Sequence, residues 1–500
     1  MNELSIKPIN PPLDQQVKYE FVRYCCGIGL DLGYGKERAF EHSVGLRLRG
    51  DEGDAVPNVK VDDLTKLESV ILGSCDFILA ADVLSHYDDA PAAVKDWLSR
   101  IKVGGHVCIY EPKGSSLSTL LTVAETVADG LDVVRLQRWG DGAFMVLRKQ
   151  ESGFGFSYVA PRPEKSACVV RHGGYGDQLQ ASYLLPELKR QGYHITFLTT
   201  PLARQIVEHD PHIDEWFMIG HNQVPNHELV PFWSVICKNY DKFINLNESV
   251  EGTLLTLPGR PSHQWPDGVR HKLMNRNYAE FAAMLAEIPF VPEGKFHTTP
   301  EEDAWAQTFI AEAQHKAELE PAFVIMWVLA GSSPHKFTPH QDTVLKMIFG
   351  SLKRAVVVMV GNEACKILEQ GWEKENRVTL TSGTMEIRKT LALAQHVDLV
   401  IGPETGVMNS ICYLAVPKVI MLSHSSHENL TKHWTEAHVI PGQSTCFPCH
   451  RLHYSSEYCP QDNETHAAIC QANVDPRLLY APIEQEYLAW SKVQLLRSAA

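Results

Sequence analysis

The chain has 500 residues, of which 44% are hydrophobic and 21% charged. That is the composition of a folded globular protein, not of a disordered tail, a collagen-like chain or a coiled-coil rod. Lys+Arg 46 against Asp+Glu 60 leaves a net charge of -14, which excludes coating of nucleic acid through a global basic footprint.

At roughly 150 residues per domain, three domains are expected. No apolar run nears the ~20 residues that cross a bilayer. The start, Met1-Asn-Glu-Leu-Ser-Ile-Lys-Pro, has no basic segment leading into an apolar one, so a cytoplasmic protein is expected.

Within 1–150, short β-rich runs at 28–32, 44–46, 77–80, 106–110 and 144–148 alternate with helical patterns. Ala93, Val94, Trp97 and Leu98 recur at helical spacing in 90–100. Such alternation predicts βαβ units and a mainly parallel sheet. Residues 151–165 break the pattern with Gly153, Gly155, Pro161 and Pro163, which reads as a linker. A second series has strands at 167–170, 194–198 and 243–246 and fills 166–312. Pro289, Pro292 and Pro300 mark the connection to a third, filling 313–475, with strands at 323–327, 356–360, 378–380, 397–401 and 419–422. Residues 476–500 read as a closing helix with Tyr487, Leu488, Trp490 and Val493 as its apolar positions. The expected fold is α/β, with three Rossmann-like units.

In the first unit, Gly29-Leu-Asp-Leu-Gly-Tyr-Gly35 follows an apolar run and precedes a helical stretch. Glycines after a first strand let backbone approach a ligand. Together with Lys102, Gly104 and Gly105 before a late strand, this order resembles class I methyltransferases that use S-adenosylmethionine. The resemblance covers about 120 residues and implies that Asp31, Gly33 and Gly35 hold that cofactor. The second strand, however, ends in Arg47, where the family has an acidic residue for the ribose hydroxyls. Losing that acceptor costs the site on the order of 1–3 kcal/mol. The unit therefore reads either as a degenerate domain kept for assembly or as a working cofactor site.

In the second unit, Val169-Val-Arg-His-Gly-Gly-Tyr-Gly-Asp177 runs from a strand into a helix. Asp177 there is either a helix cap or a general base at a cleft. In the third unit, Ala330-Gly-Ser332 with Lys336, and later Glu404-Thr-Gly406, each put small residues after a strand. Both turns suit close approach of a phosphate.

These features resemble glycosyltransferase family 9, the heptosyltransferases of lipopolysaccharide assembly. Gly176-Asp177 with Leu185-Pro186 matches its early motif, and Gly331, Ser332 and Lys336 match its glycine-to-lysine turn. Glu404-Thr-Gly-Val-Met-Asn409 matches its late acidic signature, with Asn409 where the family has His. The resemblance spans roughly 166–490. It implies a GT-B architecture, a nucleotide-diphosphate sugar donor held by Gly176, Gly331, Ser332, Glu404, Thr405, Gly406 and Asn409, and a closing helix that crosses back to the acceptor half. Asp177 becomes the base that deprotonates an acceptor hydroxyl, and Lys336 stabilises the departing diphosphate. No Asp-x-Asp motif ends a strand in the donor half, so metal-independent transfer with inversion is expected. Asp177→Ala is expected to fold and to lose transfer.

Cys446-Phe-Pro-Cys449, then Cys459 and Cys470, lie in a loop at 446–470. A C-x-x-C knuckle brings two thiolates to one tetrahedral ion. The residues allow a structural zinc site, reduced packed cysteines or disulfides. Some family-9 members carry a similar run.

Two further patterns carry less. Ser85-His86 beside Asp88 and Asp89 lacks a nucleophile elbow and reads as a helix start. The aromatic and basic residues of 233–242 suit packing as well as stacking on bases. The expected partner is a saccharide or other hydroxyl-bearing acceptor. The alternatives are a bifunctional methyltransferase–glycosyltransferase and a catalytically dead assembly protein.

Overall fold

The computed structural model describes residues 13–33, 38–48, 59–112, 117–156, 165–220, 223–247, 261–333, 335–452 and 459–499. Three sheets organise them.

The first sheet comprises β1 (Gly29–Leu32), β2 (Val44–Leu48), β3 (Val59–Asp62), β4 (Cys75–Ala81), β5 (Ile101–Glu111), β6 (Leu131–Trp139), β7 (Gly142–Lys149) and β8 (Phe154–Gly155). Its order is β3-β2-β1-β4-β5-β7-β6-β8. The pairs from β3 through β5 are parallel, and β7 pairs antiparallel with both β5 and β6. The helix Ala90–Arg100 starts where Asp89 accepts the Ala92 amide, and it buries Ala93, Val94, Trp97 and Leu98. Trp97 anchors it by donating its ring N–H to the Leu64 carbonyl at 2.7 Å. The turn at Lys102–Gly105 lies inside β5, where the register with β4 jumps between Cys75 and Phe77.

The second sheet has β9 (Ser166–Val170), β10 (His194–Thr199), β11 (Glu215–Met218) and β12 (Lys242–Asn245), ordered β11-β10-β9-β12. The third has β13 (Phe323–Val328), β14 (Ala355–Val360), β15 (Val378–Leu380), β16 (Leu399–Pro403), β17 (Lys418–Met421) and β18 (Ala437–Ile440), ordered β15-β14-β13-β16-β17-β18. All five of its strand pairs are parallel. β13 and β14 are buried along their whole length, as strands covered on both faces must be, which is why they read as unbroken apolar runs.

Counted from its own first strand, the third sheet runs 3-2-1-4-5-6, the doubly wound Rossmann order. The helix Pro476–Ala499 supplies Leu479, Tyr480 and Ile483 to this sheet's core, with Tyr487 and Trp490 packed at its margin. These side chains tie it to the third sheet: Tyr487 meets Phe323 edge-on, and Trp490 lies tilted against it.

The backbone falls into two compact units. One comprises Met1–Cys168, Thr196–Pro201 and Glu215–Phe243; the other comprises Val169–Ile195, Leu202–Asp214 and Ile244–Ala500. Among the described residues, no helix is long and apolar enough to cross a membrane.

Candidate active site

In a doubly wound sheet, ligands bind outside the carboxyl ends of the strands where the order reverses. In the third sheet that point lies between β13 and β16. The turn carrying Gly331, Ser332 and Lys336 follows β13, and Glu404, Thr405 and Gly406 follow β16. Two segments about seventy residues apart in sequence thus flank one crevice.

The first turn closes on itself. The Gly331 amide donates to the Lys336 carbonyl and the Lys336 amide to the Ser333 carbonyl, each at 2.8 Å. A β-carbon on Gly331 would stand 2.7 Å from Lys336 Cδ and 2.8 Å from its Cβ. Glycine is therefore what lets the lysine stem fold across the turn. The Lys336 ammonium makes no hydrogen bond or ion pair with the described residues, while Ser332 is exposed at the tip.

Glu404 behaves differently from its expected role as a donor contact. It is 6% exposed, and one carboxylate oxygen accepts the amides of Ser423, His424 and Ser425 at 2.6, 3.1 and 3.2 Å. The other takes the Ser425 hydroxyl at 2.9 Å and faces His424 Nδ1 at 2.7 Å. Burial opposes the charge, but His424, Lys336 and the Ser423 amide outweigh it and hold the carboxyl far below the usual carboxylate range. Glu404 thus braces the loop after β17. Any contribution to a ligand passes through that loop.

Thr405 caps the short helix Gly406–Ser410, its hydroxyl accepting the Met408 amide at 3.4 Å. Five residues make little macrodipole, so what this turn offers an anion is local amides. Against it packs the start of the helix Tyr175–Ser182. A β-carbon on Gly176 would lie 2.7 Å from the Asn409 side-chain nitrogen and 3.4 Å from Gly406 Cα. Tyr183 donates its hydroxyl to the Asn409 carbonyl. Gly176, Gly406 and Asn409 are therefore brought together, one residue from Asp177.

Asp177 sits in the first turn of that helix. One oxygen accepts the Gly174 amide at 2.5 Å, and the other pairs with the Arg171 guanidinium at 3.1 Å. Arg171 is 4% exposed and also donates to the Leu246 carbonyl at 2.7 Å. The capping function weighed against the base is thus realised, and a buried cation aims the carboxylate as well. Arg171, Ser423, His424 and Ser425 are the site residues that the sequence motifs did not mark.

The cysteine loop borders the same region. Cys446, Cys449, Cys459 and Cys470 line one cavity of about 20 Å³ with His335, His424 and Arg451, space for a single ion or water. Burial pushes the Cys449 thiol up to about 12 and Cys470 to about 11, with charge repulsion from neighbouring cysteines adding to both. Four thiols around one small cavity are a donor set that suits a soft divalent ion. No three of the four sulfurs lie within 4.8 Å of one another, so ligation requires the loop to tighten. Beside them, His335 and His450 are 3% and 1% exposed, and their ring nitrogens find no hydrogen-bond partner among the described residues. Burial, then the charges of His424, Lys336 and Arg451, push His335 down to about 3.

The first unit has its own reversal point between β1 and β4, where Asp31 and Gly33 lie. Asp31 is 3% exposed, and its carboxylate accepts the Ala39 amide at 2.6 Å. Burial outweighs that amide and the Arg38 charge, pushing Asp31 up to about 7. Gly33 has φ +64 and faces Val83, which a β-carbon would meet at 2.8 Å. Gly35 and the Arg47 side chain lie outside the described residues. Lys102 pairs with Asp76 at 2.7 Å, at the start of β4, whereas Asp31 lies toward the end of β1. The two matched motifs thus lie on β1 and β5, which β4 separates, one toward a strand's end and the other near a strand's start.

No protein-family model matches the chain, and no curated protein is similar to it. Among solved structures, it is similar to a glycosyl transferase family 9 protein from Veillonella parvula DSM 2008, at 16% identity over 65% of this chain and 98% of that one, TM-score 0.47. It is also similar to the E. coli ADP-heptose lps heptosyltransferase II, at 15% identity over 66% and 100%, TM-score 0.44. A third is the iron-containing dodecameric glycosyltransferase TibC of enterotoxigenic E. coli H10407, at 11% identity over 68% and 85%, TM-score 0.44. At these values the likeness is one of outline, and the chemistry of the site follows from its own residues.

Proposed function

We propose that residues 166–490 act as a GT-B glycosyltransferase. In this reading, 166–312 is the acceptor side, 313–475 the donor side, and a nucleotide-diphosphate sugar is the donor. One observation carries it: Lys336, whose ammonium makes no hydrogen bond or ion pair with the described residues, at the reversal point of a Rossmann sheet whose other turn packs against the Asp177 helix. A cation beside glycine and small residues suits an anionic ligand.

The mechanism is a single displacement. The acceptor oxygen attacks the anomeric carbon as Asp177 takes its proton, the bond from that carbon to the diphosphate oxygen breaks, and the configuration inverts. Negative charge grows on the leaving diphosphate, where Lys336 and the amides near Gly331 and Gly406 are fixed in advance to receive it. Arg171 is a positioning residue that orients the carboxylate. Glu404 sets the 423–425 loop.

The four cysteines are proposed to hold a structural zinc, which would fix the 446–470 loop beside His335 and His424. In the amino-terminal unit, Asp31 is buried and turned to Ala39. That observation favours a methyltransferase-like domain that does not bind S-adenosylmethionine; calorimetric titration of the full chain with that cofactor should show no binding.

The central test screens nucleotide-sugar donors by thermal shift and then compares the hit on Lys336→Ala. Binding weakened by about 10²-fold, equivalent to ~2.7 kcal/mol, supports the reading. Unchanged binding removes it.

A further inference from the structure

Among the described residues, one cluster of metal-ligating side chains lies away from both turns and from the cysteine loop. Asp210, His212 and His297 present a carboxylate oxygen and two ring nitrogens, all within 4.8 Å of one another. His212 Nδ1 is 2.7 Å from Asp210 Oδ1, and His297 Nε2 is 3.8 Å from the same oxygen. The His212 amide also donates to that oxygen at 2.9 Å.

The Asp210 side chain is 4% exposed, and its ion-pair partners among the described residues are these two imidazoles. A buried carboxylate needs positive charge nearby. A cation bound among the three groups supplies it.

The surrounding backbone is held for that purpose. Arg388 donates to the carbonyls of Gln205 and His297 at 2.7 and 3.0 Å and pairs with Glu302 at 2.6 Å. One guanidinium thus fixes the segments that carry the ligands, the loop after the helix Pro201–Val207 and the strand of chain entering the helix Pro300–Lys316.

We infer that Asp210, His212 and His297 form a second metal site, taking a divalent transition ion such as zinc. One carboxylate and two imidazoles are an established donor set for zinc and its neighbours. Bonds of about 2.0–2.1 Å in a tetrahedron put ligand atoms about 3.4 Å apart. The observed 2.7 and 3.8 Å to Asp210 straddle that value, and all three ligand atoms lie within 4.8 Å of one another. The imidazoles are 29% and 20% exposed, leaving a fourth position for water. On binding, the proton between His212 Nδ1 and Asp210 moves to Nε2 or to solvent, and the freed lone pair binds the ion. Nothing is oxidised or reduced. The ion clips two distant segments of one unit together.

The test uses the full chain, stripped with chelator and titrated with zinc and then cobalt. The parent is compared with His212→Ala/His297→Ala and with Cys446→Ser/Cys449→Ser. The histidine variant should lose about one equivalent of metal relative to the parent. The cysteine variant should retain that equivalent, and its cobalt form should lack thiolate-to-metal charge-transfer absorption. Equal metal content in parent and histidine variant, or none in the cysteine variant, overturns the site and leaves a hydrogen-bonded cluster only. If the double variant does not fold, His297→Gln serves instead: zinc affinity should fall about tenfold or more, with the zinc-induced rise in Tm reduced to match. An unchanged rise overturns the proposal.

Discussion

Gly406 lies against the backbone of Gly176: a β-carbon on Gly406 would stand 3.0 Å from the Gly176 amide nitrogen. The spacing between the turn after β16 and the Asp177 helix is set by two absent side chains. Gly406→Ala forces its neighbour back by a few tenths of an ångström, and Gly406→Val by more. A misplacement of about 1 Å can cost on the order of 10²-fold in rate. We expect kcat/KM to fall from parent to Ala to Val while circular dichroism stays unchanged. An active Val variant would show that this spacing does not matter.

Asp177→Ala is a harsher change than the motif alone implies. It removes the acceptor of the Gly174 amide and the carboxylate partner of Arg171, whose side chain is 5% exposed. Leaving one partner of a buried pair unmatched costs about 3–5 kcal/mol. Asp177→Asn keeps the oxygen that accepts the Gly174 amide and is the fairer test of the base. Transfer by the Asn variant should drop by about 10²–10⁴-fold, with donor binding retained. Parent-like turnover in it would sink the role of Asp177.

Glu404 makes a prediction with a sign. Its folded carboxyl is held far below the free value of 4.5. A depressed folded pKa contributes stability fully above the unfolded pKa, and this is lost progressively as pH falls below that value toward the folded one. The gap in Tm between parent and Glu404→Gln should therefore be wide at pH 7 and narrow at pH 3. A gap independent of pH would mean that the charge is not what braces the 423–425 loop.

The cysteine loop is checked by metal analysis of purified protein. About one zinc per chain should be present beyond any held by Asp210, His212 and His297, and Cys449→Ser should remove that one equivalent together with several degrees of Tm. Finding iron instead would keep the four-thiol site and change its ion. A Cys449→Ser variant with the same metal content as the parent discards it.

The strands most visible in the sequence are those buried on both faces. β13 and β14 are unbroken apolar runs, so burial wrote itself into composition. β11 and β18 went unmarked because only one residue of each is fully buried, leaving no run to see. Lys336 and Thr405–Gly406 stood out through their small neighbours. Glu404 showed as acidic, but its direction did not: the amides that consume it come from a loop nineteen to twenty-one residues later. Ser423-His-Ser-Ser426, a run of small polar residues directly after a strand, was the available signal. Asp177 was legible as two alternatives because capping and proton transfer call for the same residue at the same place. Asp210 and His297 are 87 residues apart (297 minus 210), and no spacing rule joins them; only the folded chain does.

The stem of Lys336, lying over Gly331, has a further consequence. A lysine free in solvent surrenders about 2 kcal/mol of rotamer entropy when it is caught by a ligand. Here much of that loss is borne during folding, because the stem already rests on the turn. An arriving anion meets a charge at a settled address instead of one that must be gathered in. Substituting Gly331 would leave the ammonium in the chain but return it to wandering, so the glycine, which carries no charge, governs how much the charge is worth.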